Sequence, residues 1–336
     1  MITKGCFHCE VNLPNCTEIL TRFGHQLQEV NLCSLVRDLD ATLMDCKVSF
    51  RFVESKNFMQ ESKILQNLLL NCSNIEVLRL SKDVIDIDNL FLMKILRVNR
   101  KIKDLYLDGY HLTEGCSFKL DQEDLESLWV SDGEFDVKFL NARKLCKSSK
   151  IRKLCLRDDA WSKKKLGKPR SILSIHLEQL RIGLPDEIIS YFKIISDLLK
   201  LTNLKILKIN GCDELNDDVL QEVASHCSQL MGIDISYNDN LTDDGLQHLS
   251  SLQKLTCLDI GCGPPFTDRA LNHVSKFSNL KVLEARNNKF TDVRASVLLR
   301  RLENLEILDL DENEQISKTF VILAMKIVKS RKNRNV

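Results

Sequence analysis

The sequence predicts an α/β solenoid, with parallel strands forming a concave sheet and helices along its convex side. Three observations carry this. A pattern of apolar-x-x-apolar-x-apolar returns every 23–27 residues over most of the chain. Most copies are followed by a turn, a polar helix-capping residue and apolar residues at helical spacing. With 12 Gly, 5 Pro and 6% aromatic residues, the chain lacks the composition of a glycine-rich cofactor fold or an antiparallel sandwich.

The copies run in order. They begin with Ile75-Leu78-Leu80, Ile102-Leu105-Leu107, Leu125-Leu128-Val130 and Ile151-Leu154-Leu156. They continue with Leu177-Leu180-Ile182, Leu204-Leu207-Ile209, Leu230-Ile233-Ile235 and Leu255-Leu258-Ile260. Leu280-Leu283-Ala285 and Leu305-Leu308-Leu310 close the series. Upstream, Leu27-Val30-Leu32 matches, and a degenerate copy near Val48, Phe50 and Phe52 is expected to fill the gap before Ile75.

Helix starts fall at Asn216-Asp217-Asp218, Thr242-Asp243-Asp244, Thr267-Asp268, Thr291-Asp292 and Ser317. The side-chain oxygen accepts from open N–H groups of the first turn, and the acids that follow complement the helix dipole. Leu246, Leu249 and Leu252 give one helix its buried stripe, and Leu298, Leu299 and Leu302 another.

One strand and one helix cannot bury their own apolar face; stacked neighbours can. Strands stack about 4.8 Å apart and helices nearer 10 Å, which bends the stack with its sheet inside. Periodicity therefore overrides the two domains that length alone suggests. Residues 1–330 are expected to form a single repeat domain of about 12 repeats, the first two degenerate, followed by a basic tail over 331–336.

Lys and Arg number 48 against 47 Asp and Glu, so a chain-wide basic field for nucleic acid or an anionic membrane is excluded. No apolar run approaches the roughly 20 residues that span a bilayer. The start of the chain is too polar for a secretory signal. The 13 cysteines are therefore expected in a reducing compartment, mostly free and buried. Cys6-Phe7-His8-Cys9 has half the spacing of a zinc site, with Cys16 nearby but no second pair. Neither a metal nor a cofactor is expected.

Asn71-Cys72-Ser73-Asn74-Ile75 and His226-Cys227-Ser228-Gln229-Leu230 place a cysteine just before a strand. Gly211-Cys212 and Gly261-Cys262 place one just after, and Leu241-Thr242-Asp243-Asp244-Gly245-Leu246 follows a strand as a helix start. In these features the chain resembles the cysteine-containing leucine-rich repeats of F-box/LRR proteins and of related mitotic-exit antagonists. The resemblance covers about residues 10–330 and is strongest over 200–315. It implies a right-handed leucine-rich-repeat horseshoe with structural cysteines. It also implies selection of a protein substrate for an SCF-type ubiquitin ligase, hence ubiquitin-dependent protein catabolism. Residues 36–70 and 110–125 fit poorly, and Ala285 is small for a leucine position.

An F-box of its own is not expected. Leu184-Pro185-Asp186-Glu187-Ile188-Ile189 reads like the opening of one but lies between strands that start 27 residues apart. That leaves room for one helix, with Ile188, Ile189, Phe192, Ile195 and Leu199 facing inward. Leu13-Pro14 is a similar partial match within an ordinary repeat.

Strand residues beside the leucines point to the concave face. The expected binding strip is Arg79, Tyr106, Asp108, Trp129, Lys153, Arg157, Arg181, Lys208, Asp234, Asp259, Glu284 and Asp309, with Asp104, Arg286 and Asp311 beside it. It reads basic in the middle and acidic toward the C-terminus, with Tyr106 and Trp129 as exposed aromatic anchors. No phosphate loop and no nucleophile–base constellation appears, and the seven histidines sit at unrelated phases, so no enzyme is expected. Lys163–Arg170 and Lys326–Arg334 are basic stretches, read as a solvated loop and a frayed tail.

The sequence thus points to a protein-binding module whose concave face takes a protein substrate or partner. Ubiquitin-ligase subunits are further partners; a membrane is not expected and nucleic acid is disfavoured. The alternative is a ligase-independent scaffold or inhibitor. The compartment read is cytoplasm, with the nucleus as second choice.

Overall fold

The computed structural model describes residues 7–10, 29–32, 48–51, 66, 69–70, 72–82, 85, 87–110, 124–131, 150–157, 176–183 and 194–332. The chain divides into two compact units, Met1–Ser174 and Ile175–Val336.

The first unit carries β1 (Phe7–Glu10), β2 (Glu29–Leu32), β3 (Val48–Arg51), β4 (Val77–Ser81), β5 (Asp104–Asp108), β6 (Ser127–Ser131) and β7 (Lys153–Arg157). All pair in parallel, in the order β1-β3-β2-β4-β5-β6-β7. The degenerate copy forms a strand over Val48–Arg51, as the pattern predicts, but that strand does not stand between β2 and β4. It pairs with β1 and β2, while β2 aligns directly with β4 through Val30↔Leu78 and Leu32↔Leu80. From β4 onward the order follows the sequence, and each leucine meets its counterpart: Leu78↔Leu105↔Leu128↔Leu154. Helix Asn89–Val98 starts at Asp88, whose carboxylate accepts from the Phe91 N–H at 2.6 Å. Phe91, Leu92, Ile95 and Leu96 are its buried stripe.

The second unit carries β8 (Gln179–Gly183), β9 (Ile206–Ile209), β10 (Gly232–Asp234), β11 (Cys257–Asp259), β12 (Val282–Glu284) and β13 (Ile307–Asp309), parallel and in sequence order. Leu180↔Leu207↔Ile233↔Leu258↔Leu283↔Leu308 form one row, buried except at Leu308 on the terminal strand. Ala285, small at its leucine position, is also fully buried.

Helices Asp217–His226, Asp268–Val274 and Asp292–Arg301 begin at the predicted caps Asn216, Thr267 and Thr291. The segment after Thr242 departs from the α-helix the pattern suggests and forms a 3-10 helix, Gly245–Ser251. Leu246 and Leu249, three apart, share a face at three residues per turn and stay buried. Gly245 is tight against the preceding repeat: a Cβ there would lie 1.9 Å from Asp217 Oδ1. Of the inward stripe expected between β8 and β9, Ile195 and Leu199 are half-buried and Leu198 is the buried leucine, on helix Ile194–Leu198. Leu184–Ile189 and Phe192 lie outside the described residues, as do Cys6, Cys16 and Lys163–Arg170. The final helix, Lys318–Lys332, continues two residues into the expected tail.

Two hydrogen-bond ladders join the repeats. The acids after the caps do more than complement dipoles. Asp217, Asp243, Asp268 and Asp292 each accept from both the backbone N–H and the hydroxyl of Thr242, Thr267, Thr291 and Ser317 in the next repeat. The second ladder is built by Asn238, Asn288 and Asn313, a few residues after their strands and buried. The Asn238 amide donates to the carbonyls of Ile209, Ile235 and Ser236, and its oxygen accepts from the Cys212 N–H at 2.7 Å. Asn288 and Asn313 repeat this arrangement. Just before them Tyr237, Asn287 and Glu312 take left-handed φ of 59°, 54° and 62°. Such a conformation costs about 1–2 kcal/mol per residue, which the amide bonds offset.

Cys72, Cys155, Cys212 and Cys227 are buried thiols, whereas Cys257 is exposed and Cys262 half-buried. Burial pushes the thiols of Cys72 and Cys227 up to about 11, so both are neutral, small apolar fillers at physiological pH.

Candidate functional site

The open face of each sheet presents three rows of side chains running across the strands. In the first unit the middle row is Arg79, Tyr106, Trp129 and Cys155. The Arg79 guanidinium carbon lies 4.5 Å from the Tyr106 ring centre, and Tyr106 stacks on Trp129 with centroids 5.9 Å apart at 28°. These are a cation–π contact and an offset aromatic stack. They close over one another. Arg79 and Tyr106 are 5% and 6% exposed, and Trp129 is half-buried rather than fully exposed. A partner reaching this row meets Trp129 first.

Asp104 and Lys153 stand in the row on one side, with Asp108 and Arg157 on the other. Asp108 is held between two strands by the hydroxyls of Ser81 at 3.0 Å and Ser131 at 2.7 Å. Burial raises the Asp104 carboxyl above its ordinary range, against the opposing pull of Lys153 and Ser127.

In the second unit the middle row is Arg181, Lys208, Asp234, Asp259, Glu284 and Asp309. Arg181 is buried; the others are partly or fully open. Four carboxylates thus occupy one register position on β10–β13, about 4.8 Å apart from strand to strand. The ends of the run are compensated. Asp234 accepts from Asn210 at 2.8 Å and Ser236 at 2.7 Å, with Lys208 Nζ at 3.6 Å. Asp309 is gripped by Arg286. The centre is not: Asp259 accepts the Gly261 N–H at 2.9 Å and lies between Asp234 and Glu284. Burial first, then the Asp234 charge, lifts its carboxyl to about 7; the Gly261 bond opposes this and Glu284 adds to it.

Of the twelve residues expected on the strip, nine stand in the two middle rows, while Asp108, Lys153 and Arg157 stand in the rows beside the first. Sequence reasoning missed what lies next to them. Cys155 completes the first row, and the asparagine ladder repeats every 25 residues at Asn288 and Asn313. It also missed the row beside the acids, formed by Ile206, Gly232, Cys257, Val282 and Ile307. A search for polar and aromatic strand residues cannot find these apolar side chains. Reading the residue before each central leucine would have done so.

A chain of the Rad7–Elc1 complex in yeast is similar over 94% of this chain and 81% of its own, at 16% identity and a TM-score of 0.58. The fold is the leucine-rich-repeat solenoid. An internalin from Listeria monocytogenes aligns over 80% of each chain at 19% identity and a TM-score of 0.42, and internalin C2 of the same organism over 76% and 85% at 20% and 0.37. No protein-family model and no curated protein matches the chain. Among the described residues no helix is long and apolar enough to cross a membrane.

Proposed function

We propose that this leucine-rich-repeat protein is a non-catalytic recognition module that selects a protein substrate for an SCF-type ubiquitin ligase. The observation that carries the binding part is the pair of ordered side-chain rows on open sheet faces: a cation–aromatic row in one unit and a carboxylate row in the other. Rigid strands fix these groups at constant spacing, which suits recognition of another polypeptide. The ligase link is supported by the cysteine-containing repeat pattern of the F-box/LRR proteins. The structural neighbour also comes from a two-protein assembly, Rad7 with Elc1.

Cys72, Cys155, Cys212, Cys227, Cys257 and Cys262 are thiols rather than disulfides, which fits the cytoplasm or nucleus. Residues 1–330 are read as one repeat domain; a single calorimetric transition supports that and two independent transitions sink it. The ligase reading is tested by affinity purification from cells. Co-purification of the ligase adaptor subunit supports it. A partner recovered without the adaptor turns the reading into that of a ligase-independent scaffold or inhibitor.

A further inference from the structure

We propose that the open face of β10–β13 docks a cationic, partly apolar segment of a partner protein. Its Lys or Arg side chains meet the carboxylates between Asp234 and Asp309, and its aliphatic side chains lie along Cys257, Val282 and Ile307. This rests on the protein-binding reading above and names the chemistry of the partner.

Two independent features of that face lead to it. The first is the apolar row. Ile307 is 54% exposed, Cys257 is exposed and Val282 half-buried, on strands whose opposite faces already fill the core. Aliphatic surface left in water gains nothing for the fold and is available to a partner. The second is the carboxylate row alongside it. Like charges directly opposite one another on neighbouring strands destabilise a sheet. The fold does not require them, because the same register position in the first unit holds Arg79, Tyr106, Trp129 and Cys155. Asp234, Asp259 and Asp309 each accept the N–H two residues on, a role that asparagine would fill without the charge. Glu284 is exposed, and its carboxyl hydrogen-bonds that of Asp259.

Charge selects the occupant. A phosphate backbone, an acidic peptide or the same face of a second copy would add negative charge to a row whose centre is uncompensated. A cationic segment supplies what Asp259 lacks and adds to Arg286, the one cation felt by Glu284 and already paired with Asp309, among the described residues. The charged groups facing Asp259 are Asp234, Glu284 and, beyond it, the Arg286–Asp309 pair. The proton that Asp259 holds near neutral pH leaves as a cation arrives, so docking strengthens from pH 6 to 8.

The test titrates the full chain against a fluorescein-labelled dodecapeptide of alternating Lys and Leu, with Glu–Leu and Lys–Ser peptides for comparison. Binding of the Lys–Leu peptide is expected, weaker binding of Lys–Ser, and none of Glu–Leu. The double variant Asp259→Asn/Glu284→Gln is expected to lose about tenfold in affinity while melting at or above the wild-type temperature. Equal binding by the double variant, binding of Glu–Leu, or a lower melting temperature overturns the proposal. So does loss of Lys–Leu binding in Trp129→Ala, which would move the peptide to the other unit. The broader reading fails separately, when the full chain captures neither adaptor nor substrate from cells.

Discussion

The middle row of β4–β7 and the middle row of β9–β13 occupy the same position in the same repeat, yet they are built in opposite ways. In the first unit arginine, tyrosine and tryptophan lean on one another and nearly bury themselves. In the second, carboxylates stand in register with an uncompensated centre. Behind both rows the leucines are alike, buried and aligned strand to strand. The core therefore specifies the coil, and the open face is free to carry either a self-satisfied or a self-repelling row.

Variants can break or sharpen this contrast. Leu105→Ala and Leu207→Ala should each cost about 2–5 kcal/mol by denaturant titration, because both remove a buried side chain from the same kind of core. A large difference between them would mean the two cores are not equivalent. Tyr106→Ala should destabilise by about 2–4 kcal/mol, since it removes a buried ring from between Arg79 and Trp129. Trp129→Ala should cost about 1 kcal/mol and weaken partner capture more than stability.

Glu284→Gln should act with the opposite sign, raising stability by about 0.5 kcal/mol at pH 8 through relief of repulsion. A separate effect concerns pH. Asp259 binds its proton more tightly folded than unfolded, so its ionisation penalises the fold. That penalty is absent below the unfolded carboxylate range, grows as pH rises toward about 7, and is complete above it. The melting temperature should therefore fall between pH 5 and 8, and Asp259→Asn should flatten the slope.

Much of this was legible in the sequence because leucine spacing and parallel pairing obey one period. Leu78, Leu105 and Leu128 could be aligned by counting, and Thr267 and Thr291 could be named as caps from the acids behind them. Where the period weakens, counting fails. Val48–Arg51 was placed after β2 by sequence order, but pairing put it between β1 and β2. The 3-10 turn after Thr242 depends on a glycine that makes room for a carboxylate one repeat away, which no local pattern records. Exposure was the least legible property. Arg79 and Tyr106 have the side chains of a surface and are buried by each other.

The rungs from Asp217 to Thr242, Asp243 to Thr267, Asp268 to Thr291 and Asp292 to Ser317 always join a coil to its immediate successor. Excising one whole period from this stretch and rejoining the ends would return an aspartate to every threonine or serine. Gene segments of about 75 nucleotides can therefore be duplicated or lost here without orphaning a partner. The number of strands in this stretch is then a quantity that evolution can raise or lower in fixed increments.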